Sequence, residues 1–147
     1  MLSGCDRAVA TGGVARIVEL GCGWGGLTRS LASRFPHLPV QGIEISTVPY
    51  LVARLSSGRS RSNLRIIRGD VAAFAPQPGD LLVSYLSRPH MEVIAELLDK
   101  SGDPEVPVWL VSSTFALPGA EPAETLVVPD LYGSPVYVYA VRRGFSV

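Results

Sequence analysis

Apolar positions along this chain recur with two alternating periods, and the alternation predicts its elements. Ala15 to Leu20 is a short apolar run ended by Gly21, the pattern of a strand buried on both faces. From Gly25 to Phe35 the period changes. Leu27, Leu31 and Phe35 recur at four-residue spacing and Pro36 stops the segment, which predicts an amphipathic helix. Pro39 to Ile45 reads as a second strand. Ser46 and Thr47 then offer N-caps to a helix with Val48, Leu51, Val52 and Leu55 on one face, the stripe an amphipathic helix turns to its core, and Gly58 closes it. Leu64 to Arg68 is a third strand, ending in Gly69-Asp70. Asp80 to Leu86 is a fourth, followed by Ser87 as N-cap and a helix with Pro89 in its first turn and Met91, Ile94, Ala95 and Leu98 on its apolar face. Val106 to Phe115, Ala123 to Pro129 and Pro135 to Arg142 complete the strands, the last two joined by a turn over residues 130–134. Met1 to Gly13 reads as a leader of small and polar residues.

Strands alternating with helices over the first two-thirds of the chain predict the α/β class, as a doubly wound, Rossmann-like, mostly parallel sheet. Only Ala116 to Pro122 separates the fifth strand from the sixth, too few residues for a helical crossover. The chain is therefore expected to end in an antiparallel C-terminal hairpin. Val136 to Val141 is apolar on both faces, which favours an interior position for the last strand.

Composition narrows the functional classes. The 147 residues, 47% hydrophobic and 18% charged, suit one domain spanning 1–147. Thirteen Lys and Arg against thirteen Asp and Glu leave no electrostatic footprint for a nucleic-acid partner. Cys5 and Cys22 cannot build a disulfide framework or a four-thiolate zinc site, and with His37 and His90 as the sole histidines, metal-free chemistry is expected. There is no basic start followed by an apolar run, and no stretch of the roughly 20 apolar residues that span a bilayer. These features predict a soluble cytoplasmic protein without a membrane span. A mean hydropathy of +0.28 hints at uncovered apolar surface, so homo-oligomerisation is a further expectation.

The candidate chemistry begins at Glu19-Leu20-Gly21-Cys22-Gly23-Trp24-Gly25-Gly26, between the first strand and the first helix. This is where an open parallel sheet takes an adenine-containing cofactor, because glycines let the backbone pass close beneath a ligand while helix N-terminal amides point at it. Two cofactor classes fit the spacing. Gly21, Gly23 and Gly26 satisfy G-x-G-x-x-G, and Glu44 follows where a ribose-binding acid belongs in either an NAD-dependent oxidoreductase or a methyl-transfer enzyme. The neighbours favour methyl transfer. Glu19 stands two residues before the first glycine, Gly69-Asp70 ends the third strand where an adenine edge is read, and no residues remain for the second domain of a hydride-transfer enzyme.

On these residues the chain resembles the class I S-adenosylmethionine-dependent methyltransferases. Val18 to Gly25 looks like their first motif, Gly42-Ile43-Glu44-Ile45 like their second-strand acid, and Gly69-Asp70-Val71 like their adenine-contacting motif. Ser84-Tyr85-Leu86 and the stretch from Ser113 to Tyr139 are similar to small bacterial members, which resemble in turn the mitochondrial protein-lysine methyltransferases. The resemblance implies S-adenosylmethionine as cofactor. It places Gly21 and Gly23 under the methionine part, Glu44 at the ribose, and Asp70 and Val71 at the adenine, with Glu19, Cys22 and Ile45 as further cofactor-site residues. It also implies a helical segment ahead of the first strand, which the small and polar leader does not match, so the N-terminal cap is expected to be missing or very short.

The end of the fourth strand is where the methyl group should face its acceptor. Methyl transfer from a sulfonium asks mainly for alignment, and a nitrogen acceptor, a protein lysine among the candidates, must also lose a proton. Ser84 and Tyr85 are the candidate catalytic residues, with Ser87 beside them. His90 reads as a solvated imidazole in a first helical turn, His37 as loop, and Cys22 as a small residue filling the glycine turn. Arg54, Arg59, Arg61, Arg65 and Arg68 stand without an acid between Glu44 and Asp70, a solvated face or a dock for an acidic partner. A non-catalytic cofactor- or partner-binding module is the alternative to an enzyme.

Overall fold

Burial from Ile17 through Leu20 makes β1 (Arg16–Leu20) a central strand. It pairs in parallel with β2 (Val40–Glu44) on one side and β4 (Asp80–Ser84) on the other. β3 (Leu64–Arg68) extends the β2 side and β5 (Val108–Ser113) the β4 side, both in parallel. β7 (Pro135–Val141) then runs antiparallel to β5, and β6 (Glu124–Val127) antiparallel to β7. This computed structural model describes residues 1–58, 62–101, 103, 105–128 and 133–142, and the strands among them are ordered β3-β2-β1-β4-β5-β7-β6. The expected class is therefore found, with the last strand inside the sheet and the sixth at its edge. Residues 130–132 of the expected hairpin turn lie outside the described residues.

Helices cover both faces. On one, α1 (Leu2–Thr11) and α2 (Gly26–Arg34) bury Cys5, Ala8, Leu31 and Ala32 against Ile17, Val40, Leu81, Val83, Val111 and Val136. On the other, α4 (Arg88–Ser101) buries Met91, Ile94 and Leu98 against Val18, Leu20, Leu82 and Leu110, each contributing about 2 kcal/mol over leaving it in water. The four apolar positions expected on that helix are the ones buried. Asn63 immediately precedes β3. Its amide nitrogen lies 3.1, 3.2 and 3.1 Å from the carbonyls of Ala32, Phe35 and Leu38, so it closes the end of α2.

Two expectations need correction. The leader is not featureless, because residues 2–11 form α1, with Gly4, Cys5 and Ala8 buried. A Cβ on Gly4 would come within 2.8 Å of Val111, so small residues at helical spacing let the helix lie close on β5 and β7. Arg34 ties it to α2 through both oxygens of Asp6 at 3.0 Å. The second correction concerns α3 (Thr47–Ser57), whose stripe faces water: Val48, Leu51, Val52 and Leu55 are 63%, 47%, 41% and 80% exposed. The helix buries Ala53 and Ser57 instead. Close approach decides this. A Cβ on Gly25 would lie 2.9 Å from Ala53 Cβ, and Arg29 Nη1 reaches Ser56 Oγ at 2.8 Å, so α3 docks through its small side.

At the amino edge of the sheet, away from the glycine turn, Arg16 grips Asp80 with Nε on Oδ1 at 2.9 Å and Nη2 on Oδ2 at 2.6 Å. The pair joins the first residues of β1 and β4. No helix among the described residues is long and apolar enough to cross a membrane.

Candidate active site

β1 has β2 on one side and β4 on the other, so the chain reverses its direction of winding at the carboxyl end of β1. Open α/β sheets take ligands in the crevice above such a point. The turn Gly21 to Gly25 occupies it. Gly21 and Gly23 have φ of +71° and +51°, the left-handed region that glycine enters at little cost. A Cβ on Gly21 would meet Leu86 Cδ2 at 2.7 Å, whereas a Cβ on Gly23 would meet nothing within 4 Å. The space beside Gly23 is open to a ligand.

Glu44 braces this turn from the end of β2. Its Oε2 accepts from Gly23 N at 2.8 Å and its Oε1 from Ser46 N at 2.8 Å, with the residue 7% exposed. Each carboxylate oxygen keeps a second lone pair, enough for a pair of ribose hydroxyls. Cys22 N donates to Ile43 O at 2.9 Å, which hangs the turn on β2 again. The Cys22 side chain is buried with Ala53 and Ile66, and burial pushes its thiol up to about 11. It fills the turn and is no thiolate.

Glu19 lies on the α2 side of β1, 6% exposed, and accepts a hydrogen bond from the buried hydroxyl of Thr28. Burial pushes its carboxyl up to about 7, with the Thr28 hydrogen bond acting in the opposite direction. Glu19 thus fastens the first turns of α2 to β1. Thr28 went unnoticed in the sequence, although it is the polar residue at the helix position facing Glu19. Ile45 is 58% exposed beside Glu44. Asp70 is exposed, and its Oδ1 accepts from Ala72 N at 2.9 Å, capping a short 3-10 turn over Val71–Ala73. Val71 rests against the α4-side core. Gly23 and Glu44 are therefore joined at the carboxyl ends of β1 and β2, with Gly21 in the same turn and Ile45 next along the chain, while Glu19 and Cys22 are buried.

At the end of β4 the two expected catalytic residues part company. Ser84 is fully buried and its hydroxyl lies 3.6 Å from Met91 Sδ, so it faces α4 and not the edge. Strand alternation leaves the next residue, Tyr85, 71% exposed. His90 Nδ1 is 2.9 Å from Ser87 Oγ. Beside this edge, at the carboxyl end of β5, lies a cavity of about 340 Å³ bounded by Arg88, Met91, Glu92, Thr114, Phe115 and Tyr137 among others. Thr114 has φ of 73°, the only non-glycine with positive φ among the described residues, and such strain gathers at ligand sites. The exposed Arg88 side chain makes no hydrogen bond or ion pair among the described residues. Neither residue carried a sequence signal beyond its place after a strand.

Residues 17–101, more than half of the chain, match the family described as a methyltransferase domain. The chain belongs to that family. Among proteins it is similar to, a trans-aconitate 2-methyltransferase of Paracidovorax citrulli (strain AAC00-1) is 43% identical over 67 residues, covering 45% of this chain and 24% of the relative. One of the same name from Variovorax paradoxus (strain S110) is 44% identical over 64 residues, covering 43% and 23%. The chain spans about a quarter of the length of these curated relatives. Among solved structures, an RNA methyltransferase from Salinibacter ruber in complex with S-adenosyl-L-homocysteine superposes with a TM-score of 0.75 at 22% identity, over 93% of this chain and 89% of that one. A mutant form of MtNAS in complex with S-adenosylmethionine superposes at 0.67 and 15%, over 96% and 61%. These likenesses show the fold.

The methyltransferase domain fits S-adenosylmethionine on its own geometry. The open space at Gly23 admits a ligand against the backbone, and Glu44 presents acceptor capacity at the same spot. The arginines of the expected cationic face are partly self-satisfied. Arg54 Nη1 lies 2.9 Å from Tyr50 Oη and Arg68 Nε 3.4 Å from Ile45 O, while Arg59 and Arg61 fall outside the described residues.

Proposed function

We propose that this methyltransferase domain moves the methyl group of S-adenosylmethionine to a carboxylate oxygen of a small organic acid. One observation carries the acceptor class: Arg88 bounds a cavity of about 340 Å³ at the β4 and β5 carboxyl edge and has no partner among the described residues. An exposed guanidinium with no ion-pair partner, at the rim of a space of small-molecule size, is a ready bidentate partner for a carboxylate. Glu92, one turn along α4, gives the cavity a negative end, which steers an acceptor's anchoring carboxylate to Arg88. The names of the two trans-aconitate relatives support the same class.

Bound S-adenosylmethionine supplies an activated methyl group on a sulfonium. The chain's own residues supply alignment. Glu44 holds the ribose hydroxyls while keeping the turn closed through Gly23. Gly21 and Gly23 pass beneath the methionine part, with Glu19 and Cys22 as supports. Ile45 and Val71 give the adenine apolar contact, and Asp70 meets its edge. Tyr85 orients the acceptor from the end of β4, and Ser84 packs. A carboxylate is ionised at neutral pH and needs no base, whereas the nitrogen acceptor expected from the sequence must first lose a proton.

The deciding experiment supplies the chain with methyl-labelled S-adenosylmethionine and offers trans-aconitate, other small polycarboxylates and a protein extract in parallel. Base-labile label in a small acid, with the acceptor KM raised at least about tenfold by Arg88→Met, is the expected result. Label in lysine side chains returns the acceptor to nitrogen. Cofactor binding with no label in any pool leaves a binding module.

A further inference from the structure

The solvent face of α3 is the wrong kind of surface for a helix that stands alone. We infer that it is the contact face of a symmetric dimer, covered by α3 of a second copy of this chain. Val48, Leu51, Val52 and Leu55 stand at the i, i+3, i+4, i+7 spacing of a packing seam, all outward, with no charged residue among them. Trp24 adjoins α3. It is 59% exposed, and its carbonyl shares Arg29 Nη1 with Ser56 of α3, at 3.0 and 2.8 Å.

Area and rim chemistry select the occupant. With aliphatic side chains presenting on the order of 140 Å² and an indole somewhat more, these five residues expose roughly 450 Å² per copy. A standard interface buries about 800 Å² per partner, a little over half of it apolar, so the patch has the apolar content one side of a stable dimer needs. The rim is polar and exposed. Arg54, the only charged residue of α3, is drawn onto its own Tyr50, with Nη1 on the hydroxyl at 2.9 Å and the guanidinium 6.0 Å from the ring centre. Arg29 is spent on Trp24 and Ser56. Both guanidiniums are folded onto neutral groups of their own chain, Ser46, Thr47 and Ser56 complete the margin, and the positive charge of Arg54, Arg65 and Arg68 stays at the exposed rim, where salt screens it between two copies. A twofold axis brings each stripe onto its equivalent, and aliphatic ridges of this size interlock at the usual interaxial distance of about 8–10 Å.

Sedimentation velocity of the full chain over a wide concentration range tests this directly. A monomer–dimer equilibrium is expected, maintained or tightened in high salt because the contact is apolar. Leu51→Ser with Leu55→Ser should weaken it more than about tenfold, and Leu55→Glu should abolish it. Val127→Glu, at a 69% exposed site on β6, should leave it intact. All variants should keep the circular dichroism spectrum of the wild type, since the altered side chains are exposed in the monomer. A monomer at every concentration overturns the inference, as does a dimer indifferent to both α3 variants. Flotation with anionic vesicles that is lost in Leu55→Glu and in high salt would also overturn it, by showing a membrane surface as the occupant.

Discussion

Glu44 Oε2 accepts a hydrogen bond from Gly23 N at 2.8 Å, so the acid that ends β2 also holds the turn that ends β1. Its other oxygen accepts from Ser46 N and fixes the entry to α3. The turn after β1 and the start of α3 are therefore held by one carboxylate.

Replacing Glu44 by Ala should cost roughly 1.5 to 3 kcal/mol of S-adenosylhomocysteine affinity, because charge-assisted bonds to the ribose and the brace on Gly23 are lost together. The fold should persist, since the core on both sheet faces is untouched. Calorimetric titration of folded Glu44→Ala with unchanged affinity would put the ribose elsewhere, and stabilisation of the wild type by NAD alone would replace the cofactor.

Gly23→Val should abolish cofactor binding with only a modest loss of stability. The branched side chain enters space that no protein atom fills, so it excludes ligand without clashing with the core. The left-handed φ of +51° adds about 1 to 2 kcal/mol of strain. Thermal denaturation with and without S-adenosylhomocysteine separates the two effects, and a retained ligand shift contradicts the assignment.

Glu19 should make stability fall as pH rises. Its folded carboxyl titrates near 7 against an ordinary 4.5, so below pH 4.5 the group is neutral in both states and its contribution is fully present. Between about pH 4.5 and 7 the unfolded chain releases this proton while the folded chain keeps it, and the contribution is lost; above 7 the loss is complete. The total is on the order of 3 kcal/mol. Urea denaturation of wild type and Glu19→Gln at about pH 5 and pH 8 should show this slope in the wild type and its disappearance in the variant.

Asp80→Asn should destabilise without touching the chemistry. It leaves Arg16 without its fork partner at the amino edge of the sheet, which costs about 3 kcal/mol for a largely buried pair. A lowered melting temperature with unchanged S-adenosylhomocysteine affinity is expected. An affinity loss larger than the stability change explains would show that the two sheet edges are coupled.

Tyr85→Phe should lower methyl transfer while cofactor affinity stays within about twofold, the behaviour of a group used for the acceptor in the transition state. Ser84→Ala should act through packing alone, because its hydroxyl is buried against Met91. Parallel turnover and binding measurements decide. If Tyr85→Phe turns over like wild type, its hydroxyl has no part in orienting the acceptor.

The sheet, its antiparallel end, the glycine turn and Glu44 were all legible in the sequence. Each is written in local terms: strand-length apolar runs, a connection too short for a helix, glycines after a strand, an acid at the end of the next one. Three things were not legible, for one physical reason. Which side of α3 faces the sheet, which of Ser84 and Tyr85 faces the edge, and whether residues 2–11 fold into a helix depend on what stands opposite. The apolar spacing of α3 determines that it has a seam, but the near contact of Gly25 with Ala53 turns that seam to water. Alternation along β4 determines that Ser84 and Tyr85 diverge, but only Met91 on the facing helix decides which is buried. Gly4, Cys5 and Ala8 carry little hydrophobic signal by themselves and become a helix face because β5 and β7 offer valines at close range. Period and punctuation are properties of the chain, whereas orientation is a property of the contact, and a contact exists only once both surfaces have been brought together.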